Sequence, residues 1–161
     1  MRFLFLCTGN SCRSIMSEAV FNHVAAPGFV ALSAGSRPTG ALHPGALAQL
    51  RRKGITQDGL ASKSWTGLSI TPDVVVTVCG NAASEACPAY LGPAVRAHWG
   101  LEDPGLVAGS VQDIEDAFER TYRIILARTR ALFALPLDAL AHDRTALQRA
   151  LERIGTLGDR C

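Results

Sequence analysis

Residues 2–14 read RFLFLCTGNSCRS, and this stretch decides how the 161-residue chain folds. Its first part is a short, continuously apolar run that ends at Cys7, which is typical of a strand buried on both faces of a sheet. Gly9 and small polar residues follow, and a helical pattern starts at Ser14. The stretch therefore predicts a buried strand, a tight loop and the start of a helix.

The rest of the chain continues this alternation of strands and helices. Strands are predicted at residues 2–7, 29–34, 74–78 and 94–99. Helices are predicted at residues 14–26, 44–53, from a cap at Ser110 until Pro136, and at 143–154. This order predicts an α/β fold, in which a single domain has a four-stranded parallel sheet with helices on both faces.

Composition excludes several classes of protein. The formal net charge is +2, from 16 basic and 14 acidic residues spread along the chain, so there is no basic stripe for nucleic acid. The first apolar run is too short for a signal peptide, and no 18 consecutive apolar residues predict a membrane span. We therefore expect a cytoplasmic protein with neither nucleic acid nor membrane as partner. Its five cysteines are then not structural disulfides, because the cytosol keeps thiols reduced.

Three reactive side chains are expected at one edge of the predicted sheet. Cys7 and Cys79 each end a predicted strand, and Asp103 lies in the loop after another. Because the carboxyl ends of parallel strands meet at the same edge, these side chains are expected to lie close together, where ligands of such sheets bind.

The loop between the first strand and the first helix predicts an oxyanion site. Its backbone N–H groups can turn inward as a nest, aimed with the helix N-terminus at a tetrahedral anion. Arg13 adds a guanidinium fork, the positive field lowers the pKa of Cys7, and Ser14 can donate to the thiolate. Cys7 is then a nucleophile; the alternative is a buried core thiol with Arg13 at the surface. The predicted oxyanion-binding residues are Thr8, Gly9, Asn10, Ser11, Cys12, Arg13 and Ser14.

Residues 7–14 resemble the phosphate loop of the low-molecular-weight protein tyrosine phosphatase fold. Residues 6–18, LCTGNSCRSIMSE, are close to the form found in arsenate reductases built on that fold, with thioredoxin-coupled enzymes the most similar. Further matches at residues 32–35, 76–83, 87–88, 98–100 and 103–104 follow the family's order. The resemblance implies a reductase domain at residues 1–135. Residues 136–161 then form a C-terminal helical extension that docks on a monomer or mediates a dimer.

The resemblance implies reduction of arsenate to arsenite, with phosphate and sulfate as competing oxyanions. Cys7 attacks the arsenic, and Asp103 is the general acid for the leaving oxygen. Cys79 then releases arsenite by attacking Cys7, and Cys87 takes over the disulfide. This relay requires residues 79–87 to fold back on themselves, and residues 81–86 are compatible with a helical turn. No tightly bound cofactor is expected, and electrons come from thioredoxin or from glutaredoxin with glutathione.

Two other functions remain open at this point. A phosphatase of the same fold would hydrolyse phosphate monoesters through a phospho-Cys7 intermediate. Such phosphatases usually carry an aromatic residue after the Asp-Pro pair, whereas this chain has Gly105 and Leu106. A structural zinc domain is the other hypothesis, with Cys7, Cys12, Cys79 and Cys87 as ligands. Cys79 and Cys87 are too widely spaced, however, for a usual zinc knuckle.

A structural cation is also considered behind the loop. Some family members hold potassium there with residues that match Asn10, Glu18 and Ser33, and Lys63 stands near the position of a further acidic ligand. The ammonium of Lys63 would replace the ion, unless Lys63 is simply solvated. Cys12 either fits a small loop position or protects Cys7 through a reversible disulfide, and Cys161 is expected to be a bystander.

Overall fold

The computed structural model describes residues 1–84 and 91–158, which form alternating strands and helices. The strands are β1 (Arg2–Cys7), β2 (Val30–Gly35), β3 (Val74–Thr77) and β4 (Val95–His98). The helices are α1 (Arg13–Val24), α2 (Pro44–Arg52), α3 (Gly80–Ser84), α4 (Val111–Phe133), α5 (Leu137–Leu140) and α6 (Arg144–Gly155). Pro104–Leu106 form a single 3-10 turn.

The strands pair in parallel in the order β2-β1-β3-β4. Phe5 on β1 is opposite Ser33 on one side and Val76 on the other, so β1 lies inside the sheet. Cys7 is opposite Gly35, and Val78 extends the pairing beyond β3 by donating its N–H to the Leu6 carbonyl at 2.9 Å. The predicted four-stranded parallel α/β fold is confirmed, and the carboxyl ends of β1 and β3 meet at one edge.

Strand β1 is buried on both faces, as its apolar run predicts. Phe3 and Phe5 pack against the core on the side of α1, α4 and α6, whereas Leu4 and Leu6 face a second cluster that includes Leu91. Burying each of these side chains contributes about 1.5–3 kcal/mol. This burial holds the strand that ends at Cys7.

Helix α4 begins at the capping box that its sequence predicts. The Ser110 side chain accepts from the Asp113 N–H at 3.1 Å, and the Asp113 carboxylate accepts from the Ser110 N–H at 2.8 Å. The Ser110 hydroxyl also donates to this carboxylate at 2.7 Å, and the hydroxyl and the N–H of Ser110 together lower the pKa of Asp113. Among the residues described, no helix combines the length and apolar character that crossing a membrane requires.

Helix α6 docks on the domain, one of the two outcomes expected for the C-terminal region. Leu147, Leu151 and Ile154 are buried in the main core, beside α4 and the edge strand β4. The short helix α5 was not expected from the sequence, because its four residues are too few to display a helical period.

Candidate active site

The loop at residues 8–12 is held by the segment at residues 37–43, which lies along its outer side. The backbone N–H groups of this segment donate to loop carbonyls, Arg37 to Thr8 at 2.9 Å, Thr39 to Gly9 at 3.0 Å and His43 to Ser11 at 2.8 Å. In a planar trans peptide the C=O and the following N–H point in opposite directions. The N–H groups of residues 9, 10 and 12 are therefore turned inward, as an anion nest requires.

Asn10 fixes the turn inside this loop. Its φ of 42° lies in the left-handed region, which asparagine adopts more readily than most residues. Its buried side chain amide donates to the hydroxyls of Ser14 and Ser33, both at 2.9 Å, and its oxygen accepts from the Lys63 N–H at 2.8 Å. Three separate parts of the chain thus hold the loop in one conformation.

Gly35 lets the backbone of β2 approach the loop closely. A Cβ at this position would lie 2.5 Å from the Thr8 carbonyl oxygen and 2.9 Å from the Cys7 carbonyl oxygen. Any side chain here would therefore displace the loop from the end of β1.

Cys7 and Cys79 lie side by side at the floor of the loop and share a hydrogen bond. This bond and burial raise the pKa of Cys7, although Arg13 and the Gly9 N–H act to lower it. The same bond, with the Ala82 N–H and Thr8 as further partners, lowers the pKa of Cys79 to about 5. The sequence led us to expect a lowered pKa at Cys7. Here the neighbouring sulfur of Cys79 and burial favour the neutral form of Cys7 instead.

The cysteines in the described part of the chain, Cys7, Cys12 and Cys79, are free thiols. Burial raises the pKa of Cys12 to about 12, and the nearby Asp103 carboxylate adds to this effect. Cys87 and Cys161 lie outside the described residues. The sequence predicts a relay role for Cys87 and no role for Cys161.

Arg13 joins the loop to the segment that carries the expected acid. Its Nη1 donates to the Leu101 carbonyl at 3.1 Å, and its Nη2 forms a 2.6 Å ion pair with the Asp103 carboxylate. The Arg13 Nε is buried and has no hydrogen-bond partner within the described residues. A buried N–H of this kind costs free energy until an acceptor reaches it. The Arg13 Nε is therefore available to donate to an oxyanion.

Asp103 is fixed at the start of the 3-10 turn. Its Oδ1 accepts from the Gly105 N–H at 3.0 Å, while the other oxygen faces Arg13. His43, which sequence reasoning missed, caps α2 and lies next to Gly105, where a Cβ would be 3.0 Å from its Nε2. The His-Pro pair at residues 43–44 is a helix-start signal, but only the fold brings it beside the acid.

A charged cluster lies behind the loop, where the sequence suggests a cation. The Lys63 ammonium is 3.5 Å from the carboxylate of Glu18, which also accepts from the Ser33 hydroxyl at 2.5 Å. Burial raises the pKa of Glu18, while Ser33 and Lys63 oppose that shift. An ammonium therefore supplies positive charge beside the residues proposed as potassium ligands. Within residues 1–84 and 91–158, no group of three or more His, Cys, Asp or Glu could hold a metal ion.

These features define a cysteine-based enzyme site built around an oxyanion loop on a parallel sheet. A model of the family "Low molecular weight phosphotyrosine protein phosphatase" matches residues 2–147. The chain therefore belongs to this family, as its loop sequence predicts.

The chain is similar to several arsenate reductases. Arsenate reductase from Shouchella clausii is 36% identical over 127 residues, which are 78% of this chain and 90% of that protein. The crystal structure of arsenate reductase from Archaeoglobus fulgidus superposes with a TM-score of 0.67 at 25% identity, covering 83% of this chain and 99% of the other. A thioredoxin-dependent arsenate reductase from Corynebacterium glutamicum gives a TM-score of 0.52 at 26% identity, with coverage of 76% and 59%.

Proposed function

We propose that this enzyme reduces arsenate to arsenite through thiol chemistry that starts at Cys7. The observation that carries the proposal is the hydrogen bond between Cys7 and Cys79 at the floor of the oxyanion loop. Hydrolysis of a phosphate ester needs one cysteine and water. A second thiol in contact with the nucleophile is what a two-electron reduction requires, and the named relatives support that choice.

In the first step, Cys7 attacks arsenic and displaces an oxygen. The thiol and hydrogen arsenate give a Cys7–S–AsO₃²⁻ adduct and water, so the proton of Cys7 and the proton of the arsenate both leave with the departing oxygen. Asp103 transfers the proton to that oxygen. The inward N–H groups and Arg13 hold the other three oxygens.

In the second step, the thiolate of Cys79 attacks the sulfur of Cys7. A disulfide forms, the S–As bond breaks, and its electron pair remains on arsenic, which passes from As(V) to As(III). The arsenite takes up protons as it leaves. The Ala82 N–H and Thr8 act to lower the pKa of Cys79, and both remain as partners once Cys7 carries arsenic, which supports attack by a thiolate.

Cys87 then attacks Cys79, which releases Cys7 as a thiolate and moves the disulfide to residues 79 and 87. Helix α3 starts directly after Cys79, and its five residues cost little free energy to unwind. A thioredoxin, or glutaredoxin with glutathione, supplies the two electrons that restore both thiols. The thioredoxin-dependent relative favours the first donor.

Turnover of arsenate by two single-cysteine variants tests the proposal. Cys79→Ser and Cys87→Ser should each lose at least about 100-fold in arsenate turnover, because the arsenylated or oxidised Cys7 is not released. Cys12→Ser is the matched control and should retain most of the activity. Full arsenate turnover by Cys79→Ser would overturn the relay.

Hydrolysis of phosphate monoesters is the second candidate, favoured by the family match. That reaction passes through phospho-Cys7 and needs no second thiol. Measuring aryl phosphate hydrolysis in the same variants separates the two activities. If phosphatase activity persists in Cys79→Ser while arsenate turnover is lost, Cys79 acts in reduction alone.

A further inference from the structure

We infer that helix α6 positions the general acid, by fixing the loop at residues 99–103, here called the acid loop. The inference rests on the role proposed for Asp103 and adds to it a part of the chain far along the sequence. Helix α6 touches neither Cys7 nor Arg13 in any contact described above. Its effect on the reaction would therefore pass through the acid loop.

The acid loop is tied to the sheet edge at its start, and its end at Asp103 is held by Arg13 and the Gly105 N–H. The Trp99 N–H donates to the Thr77 carbonyl at 2.8 Å, and the Leu101 N–H donates to the Val78 carbonyl at 3.0 Å. Beyond Leu101 the loop borders a cavity of about 590 Å³, lined by Glu102, Asp103 and residues of α4. Because this pocket is open to solvent and leaves one side of the loop without packed side chains, the position of the loop depends on its anchor points.

Helix α6 supplies the first anchor, at Trp99. The indole is buried, with 2% of its surface exposed, and its Nε1 donates to the Leu151 carbonyl at 2.9 Å. The helix backbone also lies directly on the chain at Gly155, where a Cβ would be 2.5 Å from the His98 carbonyl oxygen and 2.9 Å from Trp99 Cδ1. A glycine is therefore required for α6 to lie this close to the start of the acid loop.

Arg128 supplies a second anchor from α4. This side chain is 1% exposed, its Nη1 donates to the Gly100 carbonyl at 3.0 Å, and its Nε donates to the Leu157 carbonyl at 2.9 Å. One guanidinium thus ties the acid loop to the segment that follows α6. A buried cation is costly unless hydrogen bonds compensate it, so these two carbonyls must stay in place for Arg128 to remain buried.

The anchors in α6 come late in the chain. The family match ends at residue 147, in the first turn of α6, whereas Leu151 and Gly155 come later. The acid loop connects these anchors to the Arg13 guanidinium. The loop carries the Leu101 carbonyl and the Asp103 carboxylate, and both bind the Arg13 guanidinium.

A double-mutant cycle between Gly155→Ala and Asp103→Asn tests the inference. Gly155→Ala should lower kcat for arsenate about ten- to hundredfold, because the added Cβ shifts the acid loop, with a much smaller change in KM. In the Asp103→Asn background the same change should alter kcat less than about twofold, because its effect passes through Asp103. Arg149→Ala, on the exposed side of α6, is the control and should leave kcat unchanged.

Trp99→Phe is a second variant, which tests the same inference if Gly155→Ala fails to fold. It keeps an aromatic ring beside Phe5 but removes the N–H to Leu151, and should lower kcat in the same direction, again only when Asp103 is present. Equal losses in both backgrounds, or no loss in either variant, would overturn the inference.

A second readout does not depend on arsenate turnover. The pH profile of Cys7 alkylation by iodoacetamide reports the charges around the Arg13 guanidinium. Gly155→Ala should shift this profile in the presence of Asp103 and leave it unchanged in the Asp103→Asn background. If the wild-type protein fails to reduce arsenate but this pattern holds, the proposed function fails and the positioning role of α6 stands. An unchanged profile in both backgrounds would contradict that role.

Discussion

Cys7 and Cys79 lie side by side, and each sulfur affects the pKa of the other. The largest cause of the raised pKa of Cys7 is its hydrogen bond with Cys79, while Arg13 and the Gly9 N–H act in the opposite direction. Removing the sulfur of Cys79 therefore changes which groups determine the charge of Cys7.

Cys79→Ala should lower the pKa of Cys7 and speed its alkylation at pH 6, where the wild-type Cys7 remains a thiol. The remaining neighbours, Arg13 and the Gly9 N–H, both favour the thiolate. Iodoacetamide labelling with mass mapping of the modified peptide measures the effect. Slower labelling of Cys7 in this variant would mean that Cys79 is not the partner that holds its proton in place.

Lys63 and Glu18 lead to a prediction about pH and stability. The pKa of Glu18 is raised above its unfolded value, so its contribution to stability is present at low pH and is lost as the pH rises through the folded pKa. Lys63→Met removes a partner that opposes this shift. We expect a loss of about 1–3 kcal/mol at pH 8 and a smaller loss at pH 4, measured by urea unfolding.

Glu18→Gln is the matched background for that experiment, because glutamine carries no negative charge for the Lys63 ammonium to pair with. In this background Lys63→Met should lower the free energy of unfolding by about the same amount at both pH values. A loss that depends on pH would contradict the pairing of Lys63 with Glu18. If the ammonium also replaces potassium, exchanging potassium for sodium should leave arsenate turnover unchanged. A strong dependence on potassium would rule out that replacement.

At the scale of elements, the loop at residues 8–12 depends on the close approach of β2. Gly35→Ala should cost about 1–3 kcal/mol in the free energy of unfolding, because its Cβ overlaps the Thr8 and Cys7 carbonyls. Inorganic phosphate should protect Cys7 of the wild type from alkylation, and Gly35→Ala should abolish this protection. Gly80→Ala, where the added Cβ meets nothing within 4 Å, is the control for stability. Phosphate protection that survives in Gly35→Ala would mean that the loop tolerates the displacement.

The local elements were predictable because their signals are local. The buried run of β1 and the capping box at Ser110 each depend on neighbouring residues, and both are found as expected. The pairing of Arg13 with Asp103 is a different case. Sequence reasoning placed both at one edge of the sheet, but it assigned Arg13 to the oxyanion alone, because a contact across 90 residues leaves no local pattern.

Arg128 marks the limit of sequence reasoning most clearly. A basic residue on an amphipathic helix is usually solvated, and nothing near Arg128 in the sequence indicates that Gly100 and Leu157 will offer it two carbonyls. The docking partner of α6 was likewise not predictable from the sequence. Its apolar face at Leu147, Leu151 and Ile154 was evident, but the sequence left open whether it packs on its own domain or on a second copy.

At the scale of the whole molecule, oxyanion binding should stabilise the fold, because the site joins β1, α1, the segment at residues 37–43 and the acid loop. A ligand that binds only the folded state at about 100 times its Kd adds about 2.7 kcal/mol. Inorganic phosphate should therefore raise the Tm of the wild type, and Arg13→Ala should abolish the rise. Asp103→Asn should enlarge it, because the carboxylate no longer competes for Arg13. A smaller rise in Asp103→Asn would contradict this competition.

The central claim is that Cys79 completes the reduction that Cys7 begins, and mapping disulfides after a single turnover tests it most directly. Reduced enzyme is mixed with one equivalent of arsenate without an electron donor, quenched with acid, alkylated and digested for mass spectrometry. The account predicts one arsenite and one disulfide per chain, between residues 79 and 87 in the wild type and between Cys7 and Cys79 in Cys87→Ser. Arsenite released without any disulfide at Cys79 would contradict it.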